Sequence, residues 1–174
     1  MLKNRNIRSG GGKSVLYNLM ARIYKKHIYL PTNAVYLFRR MQYFSGKSGL
    51  FARGRTVLLK AKLAKKYGIL ASDHAQIDIG LRFVHPTSIV IGAHVVAGKN
   101  LSLYQNTTLG GRRTGDVKLG NQPVLGDNVT VFANSLVLGK VKIGDNVIVG
   151  ANSLLLEEAP DDSIFAGSPA KRVK

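Results

Sequence analysis

An aliphatic residue returns every six positions along the second half of the chain, in two separate series. The first series consists of Ile77, Phe83, Ile89, Val95, Leu101 and Thr107. The second consists of Leu125, Val131, Val137, Ile143, Val149 and Leu155, and a Val or Ser follows four positions after successive members. An amphipathic helix needs a period of about 3.6 and a strand a period of 2, so neither explains this spacing. The pattern predicts a solenoid of very short strands, in which stacked coils bury one continuous core.

The first seventy residues carry a different pattern, with apolar residues at helical spacing. Residues 1–13 are polar and Gly-rich, and we expect a disordered basic tail there. Residues 14–69 are expected to form a basic α-helical segment that caps the solenoid at 70–174. Its predicted helices are Ser14 to Pro31, Thr32 or Asn33 to Gly46, and Leu50 to Lys66.

Positive charge is concentrated in this front part of the chain. Residues 1–72 hold sixteen Lys and Arg and no Asp or Glu, whereas the remainder holds ten basic and nine acidic residues. An anionic membrane surface explains the absence of acids, because each basic residue near such a surface contributes about 1 kcal/mol. We therefore expect residues 1–70 to contact an anionic membrane surface or an anionic polymer, and a segment that only caps the solenoid is the alternative. Nucleic acid is disfavoured as a partner because the sequence contains no recognisable nucleic-acid-binding motif.

The composition limits the cellular compartments and the catalytic groups that have to be considered. The chain has no cysteine, which excludes a thiol nucleophile and a disulfide framework. Its apolar runs are shorter than the roughly 20 residues that a membrane-spanning helix needs, and no secretory cleavage site follows them. We expect a cytoplasmic protein that contacts the inner face of the cell membrane. A phosphate-loop interpretation of Gly10–Ser14 fails, since Ile7 stands where the motif needs its first glycine.

The repeats themselves resemble those of a known family. The segments 143–148 (IGDNVI) and 149–154 (VGANSL), and the ending 166–173 (AGSPAKRV), are similar to the hexapeptide-repeat acyltransferases. This resemblance covers residues 70–174. It implies a mainly β fold, a left-handed parallel β-helix behind the basic helical segment. It further implies a homotrimer with active sites between subunits, and acetyl-CoA as co-substrate.

One histidine stands out within the resemblance. Residues 80–92 resemble the catalytic stretch of the serine acetyltransferase branch, in which the residue matching His85 is the general base. Imidazole suits this task because its pKa lies near the working pH. The acid that supports the base in that branch falls at Leu70 here, and Asp73 is the nearest substitute. The spacing of His74, His85 and His94 differs from the zinc sites of gamma-class carbonic anhydrases, so no metal is expected.

The resemblance also assigns residues to coenzyme A. It implies a pantetheine slot lined by small residues and two cations near the phosphates: Gly111, Ala133, Gly150 and Ala151, with Lys171 and Arg172. The six-residue rhythm breaks from Arg112 to Pro123, which predicts an expelled loop at 111–123 of the kind that often holds a substrate.

The acceptor is predicted from the positions at which this sequence differs from serine acetyltransferases. Val84, Asn121 and Gln122 stand where serine acetyltransferases have an acid and an Arg–His pair that hold serine. An unpaired buried charge is costly, so we expect serine to bind poorly. The favoured acceptor is a sugar hydroxyl of a cell-surface polysaccharide, in capsule or exopolysaccharide synthesis, or of its lipid-linked precursor. Two alternatives stay open: a serine O-acetyltransferase with an altered serine site, and a non-catalytic trimeric scaffold that binds anionic surfaces.

Overall fold

Two helices precede the solenoid in the computed structural model, which describes residues 30–174. The predicted tail and the helix beginning at Ser14 lie outside these residues. Helix α1 spans Leu30–Ser45 and helix α2 spans Leu50–Tyr67. Pro31 lies in the first turn of α1, where its missing N–H removes no helical hydrogen bond. Gly68 ends α2 in the left-handed conformation, and its N–H donates to the carbonyl of Ala64.

Fifteen short strands follow within the described part of the chain. The first coils contain β1 (Leu70–Ala71), β2 (Gln76–Ile77), β3 (Arg82–Phe83), β4 (Val90–Ile91), β5 (Val96–Ala97) and β6 (Ser102–Leu103). The later strands are β7 (Thr108–Gly110), β8 (Val124–Leu125), β9 (Thr130–Val131), β10 (Leu136–Leu138), β11 (Lys142–Ile143), β12 (Ile148–Val149), β13 (Leu154–Leu155), β14 (Ile164–Gly167) and β15 (Ala170–Arg172).

The strands form the three faces of a prism. Face A contains β1, β4, β7, β10 and β13, face B contains β2, β5, β8 and β11, and face C contains β3, β6, β9, β12 and β14. Neighbours within a face are parallel, except for β15, which closes face C by pairing antiparallel with β14. The turns between faces form the A/B, B/C and C/A corners. The parallel β-helix predicted from the hexapeptide period is confirmed.

Each hexapeptide buries two positions, the second strand residue and the corner residue four positions later. Leu125 and Val129 illustrate the pair in the second series. The members of the first series change from strand to corner positions partway along it, because the first coil is longer than the next. Leu70 pairs with Val90, so the first coil has 20 residues, whereas the coil from Val90 to Thr108 has 18. Two extra residues lie in the C/A corner between β3 and β4. Beyond them, Ile89 and the later members are buried corner residues instead of strand residues.

The B/C corner is stabilised by a ladder of asparagines. Asn100, Asn128 and Asn146 adopt positive φ angles of 60°, 58° and 58°. Asn tolerates this conformation better than other residues with a side chain. The Asn100 amide donates to Asn128 Oδ1 and the Asn128 amide to Asn146 Oδ1, both at 2.9 Å. The ladder thereby locks successive coils in register.

The helices cover the first coil. Phe38 of α1 packs edge-on against Phe83, with ring centroids 6.0 Å apart. Lys60 of α2 binds Asp73 at the A/B corner with an N–O distance of 2.7 Å. This hydrogen bond from Lys60 lowers the pKa of Asp73 below its usual range. Neither α1 nor α2 is long and apolar enough to cross a bilayer.

We expect Asn128→Ala to lower the free energy of unfolding by about 1–2 kcal/mol, because alanine is strained at positive φ. Asn128→Gly serves as the control and should lose less, since glycine adopts this conformation freely. Urea unfolding at one protein concentration measures both. Equal losses for the two variants would mean that the side-chain ladder, and not the backbone conformation, matters at this corner.

The Asp73–Lys60 pair should make stability depend on pH. Because the folded-state pKa of Asp73 is depressed, its contribution is complete above the ordinary carboxyl pKa of about 3.9 and is lost as the pH falls through the folded-state pKa. Asp73→Asn should therefore cost up to about 1 kcal/mol at neutral pH and nothing in acid. Thermal unfolding across this pH range, with Lys60→Met and the double variant, checks it. An Asp73→Asn deficit that persists in acid, or survives in the Lys60→Met background, would contradict the assignment.

Candidate active site

His85 lies in the two-residue insertion at the C/A corner of the first coil. Its side chain is exposed, while the next residue, Pro86, is buried. The His85 carbonyl accepts a hydrogen bond of 2.8 Å from the N–H of Thr87, which shapes the turn. The imidazole meets the ring of Tyr104 edge-on, with centroids 5.9 Å apart. The insertion thus projects an imidazole from the corner where the chain passes from face C to face A.

Among the described residues no carboxylate forms a hydrogen bond with the His85 imidazole. Asp73 lies at a different corner and is bound by Lys60. His74 and His94 stack on each other at the A/B corner, with centroids 5.9 Å apart. Within residues 30–174, His, Asp and Glu side chains form no cluster of three that could hold a metal ion. The catalytic role of His85 stays a prediction, and the structure gives its ring an aromatic neighbour in place of an acid.

A groove of about 600 Å³ adjoins this corner on face C. Its floor includes Arg82, Val84 and Phe132, and its wall is the first turns of α1. Tyr104 stacks on Phe132 with centroids 4.7 Å apart, and the Arg82 guanidinium donates to the hydroxyl of Ser102 at 2.9 Å. Sequence reasoning identified Val84 here and missed the other groove residues. Tyr104 and Phe132 were detectable, because each is the first residue after a face C strand.

Three of the predicted coenzyme A residues share the C/A corner with His85. Ala133 lies two coils above His85, and Gly150 and Ala151 lie three coils above it. A coil rises by about 4.8 Å, so these residues lie about 10 and 14 Å along the axis from His85. A Cβ atom on Gly150 would lie 3.1 Å from the Cβ of Ala166, so a larger residue there would crowd the corner. Small residues thus line the upper coils of this corner, whereas Gln105 occupies the coil between Ala133 and His85.

The two predicted phosphate-binding cations lie on the closing strand β15. Lys171 pairs with Ala166 across the antiparallel ladder, and its Nζ lies 3.4 Å from both carboxylate oxygens of Glu157. Arg172 is exposed, and its Nε donates to the carbonyl of Lys174 at 2.9 Å. The Lys171 ammonium and the Arg172 guanidinium therefore lie on the last strand of face C, at the end of the solenoid that is far from His85.

The loop at 111–123 is organised by a buried carboxylate. Asp116 accepts hydrogen bonds from the Asn121 amide at 3.1 Å and from the backbone N–H groups of Arg112 and Arg113 at 2.8 and 2.7 Å. The Asn121 hydrogen bond, followed by that from Arg113, lowers the pKa of Asp116. Gly111 is needed here, since a Cβ would lie 2.7 Å from the Cβ of Asp116. The structure thus assigns Asn121 to the loop's own architecture.

Gln122 is buried at the A/B corner with an unpaired amide. Only 2% of the residue is exposed, and neither its Nε2 nor its Oε1 has a hydrogen-bond partner within residues 30–174. It packs against Gly92 and Gly111, where an added Cβ would lie 2.8 and 2.9 Å from the amide. Gln122 and Gly111 therefore lie at one corner of the prism, and Val84 and His85 at another. A single chain does not bring the two groups of predicted residues together.

Comparison with known proteins gives this geometry a context. Residues 122–156 match the family model for the bacterial transferase hexapeptide (six repeats). Serine acetyltransferase 4 of Arabidopsis thaliana is 36% identical over 129 residues, which are 71% of this chain and 35% of the relative. The serine acetyltransferase of Staphylococcus epidermidis is 40% identical over 107 residues, which are 62% of this chain and 49% of the relative. The chain thus spans less than half the length of these relatives.

Solved structures give the same result. Soybean serine acetyltransferase complexed with serine aligns with a TM-score of 0.72 and 32% identity, covering 80% of this chain and 56% of that chain. A serine acetyltransferase in complex with CoA aligns with a TM-score of 0.67 and 28% identity, covering 84% and 58%. This similarity supports the left-handed winding predicted for the coils, and the predicted fold class is confirmed.

The predicted polysaccharide acceptor is wrong. The relatives and solved structures compared above are serine acetyltransferases, which favours the serine alternative. The prediction relied on missing charges at three positions, but the loop explains one of them, since Asn121 binds Asp116. The chain belongs to the hexapeptide-repeat acyltransferases, in their serine acetyltransferase-like branch.

Proposed function

We propose that this protein transfers an acetyl group from acetyl-CoA to the hydroxyl of serine, at a serine site altered from that of its relatives. The observation that carries the proposal is the similarity to soybean serine acetyltransferase complexed with serine, which covers 80% of the chain at 32% identity. The exposed imidazole of His85, at the same corner as Ala133, Gly150 and Ala151, supplies the base that such a reaction needs.

The proposed reaction is a direct transfer. His85 removes the proton from the serine hydroxyl, and the oxygen attacks the thioester carbonyl of acetyl-CoA. The tetrahedral intermediate carries negative charge on the former carbonyl oxygen, which backbone N–H groups near Gly110 and Gly111 stabilise. Its collapse forms the ester and releases the coenzyme A thiolate, which takes the proton from the His85 imidazolium. The chain contains no cysteine, so no acyl-cysteine intermediate forms.

A homotrimer would complete this site. His85 and Val84 lie at the C/A corner, whereas Gly111 and Gln122 lie at the A/B corner. Three prisms packed around a threefold axis set the C/A corner of each subunit against the A/B corner of its neighbour, with one cleft at each contact. We propose that serine and the thioester meet in these clefts. Coenzyme A would extend along Ala133, Gly150 and Ala151 toward Lys171 and Arg172.

Two residues replace the missing charges of the serine site in this proposal. Arg82 lines the groove beside Val84 and can bind a carboxylate through two parallel N–H groups. The amide of Gln122 can donate one hydrogen bond and accept another, and it has no partner among the described residues of its own chain. A ligand that pairs with this amide would offset about 1–3 kcal/mol of desolvation. Serine carries both a carboxylate and an ammonium group that fit this pair.

The cellular location is proposed from the composition and the charge distribution of the chain. We propose that the protein works in the cytoplasm, at the inner face of the cell membrane. The absence of cysteine agrees with a reducing compartment, and the cationic front part of the chain agrees with an anionic surface.

The first test is thiol release from acetyl-CoA with L-serine. We expect His85→Ala to lower the rate by about 10²- to 10⁴-fold, the usual contribution of a general base. Gln76→Ala is the control, because Gln76 is also exposed but lies on face B, away from both corners that form the proposed cleft. Serine-dependent release that survives His85→Ala would refute the assigned base. Absence of both thiol release and coenzyme A binding in the wild type would favour the scaffold alternative.

A second test separates ligand binding from stability at Gln122. Gln122→Met removes the unpaired amide at similar volume, so we expect the free energy of unfolding to rise by about 1–3 kcal/mol. The KM for serine should rise in the same variant, while the affinity for coenzyme A stays unchanged. Gln76→Met, at an exposed position of β2, should change neither quantity. Higher stability together with an unchanged KM would remove Gln122 from the serine site.

A further inference from the structure

The outer face of α2 is apolar from Leu50 to Ala61. The helix buries one stripe, made of Ala52, Thr56, Leu59, Leu63 and Tyr67. On the opposite side, Leu50, Phe51, Val57 and Leu58 are 85, 71, 64 and 64% exposed. Gly54 and Ala61 lie between these residues when positions are placed at 100° per residue, and Lys65 follows them on the same face in the last turn. A helix on the surface of a globular protein carries polar residues at these positions, so this face differs from an ordinary solvated one.

Basic residues border this apolar stripe on both sides. At 100° per residue, Arg53 and Lys60 fall along one border, and Arg55, Lys62 and Lys66 along the other. Lys60 binds Asp73, and the other ion pair among the described residues joins Lys171 to Glu157. The remaining cations of α2 therefore have no acidic partner. The guanidinium of Arg55 lies 5.3 Å from the ring centre of exposed Phe51, next to the stripe.

We propose that the outer face of α2 binds anionic lipid, with the helix lying in the plane of the membrane surface. The stripe Leu50, Phe51, Val57 and Leu58 enters the boundary between headgroups and acyl chains, as amphipathic interfacial helices do. The flanking lysines and arginines extend to the headgroups and meet their negative charges. This inference stands on α2 alone and is independent of the acetyl-transfer reaction.

The charge distribution selects lipid over other occupants. Pairing of this face with a second copy would oppose two arrays of cations, since residues 1–72 contain no acid to compensate them. Nucleic acid would satisfy the cations but would leave Leu50, Val57 and Leu58 without apolar contact. An anionic bilayer supplies negative charge and an apolar layer at adjacent depths. It is the occupant that matches both features of the face.

The test is co-sedimentation of the full chain with phosphatidylcholine vesicles, with and without about a third of phosphatidylserine. We expect salt-sensitive binding to the anionic vesicles. The double variant Val57→Glu/Leu58→Glu should weaken it at least about tenfold, because each aliphatic side chain contributes about 1.5–3 kcal/mol when buried. Ile79→Glu/Leu119→Glu is the matched control, since it makes the same charge change at exposed aliphatic residues of the β-helix.

A tryptophan probe distinguishes insertion from surface attraction. The chain has no tryptophan, so Leu58→Trp and Ile79→Trp each give one reporter. The emission of Leu58→Trp should shift to shorter wavelength on anionic vesicles, and that of Ile79→Trp should not.

Equal weakening of vesicle binding by the two glutamate pairs, or no emission shift for Leu58→Trp, would overturn the proposal. Loss of a larger assembly on Val57→Glu/Leu58→Glu, without vesicle binding by the wild type, would instead make this face a contact between copies. Serine-dependent thiol release should stay unchanged in Val57→Glu/Leu58→Glu and in both tryptophan variants, which separates this outcome from failure of the proposed reaction.

Discussion

The vertical register of the coils is the constraint on which the rest of the structure depends. Each coil exposes apolar edges until the next coil covers it, so the core exists only as a stack. Parallel pairing places residues of equal position directly above one another, which turns each position into a row along the axis. One such row carries Tyr104, Phe132 and Gly150 up the C/A corner. A site assembled from rows is therefore set by register and needs no long-range contact between loops.

Register also explains which parts of the fold the sequence could predict. The second six-residue series was interpreted correctly, because no residue is inserted between Leu125 and Leu155. The first series concealed an insertion of two residues: Ile89 continues the period from Phe83, although it is a corner residue and Phe83 a strand residue. Both positions are buried, so hydrophobicity alone cannot separate them. The insertion matters because it projects His85 outward.

The candidate site was predicted only in part, for physical reasons. Coil packing alone requires small residues at the corners, so their size did not reveal a binding site. Their alignment at the same corner as His85 could be seen only from the register of the coils. The unpaired amide of Gln122 could not be inferred, since its environment is created by the loop that Asp116 organises. The acceptor was misjudged because the loss of charge at three positions was taken to exclude serine. Within one chain these positions lie at two corners, and Asn121 serves the loop instead.

Two local departures from the usual rules lie where a ligand is expected. Among the described residues, Gln122 buries both polar atoms of its amide without a partner, and α2 exposes a run of aliphatic side chains to water. Sequences break local rules chiefly at functional sites, where a ligand supplies the missing contact. The amide requires a polar partner, whereas the helix requires an apolar and anionic layer. These different requirements imply two separate ligands, one for chemistry and one for location.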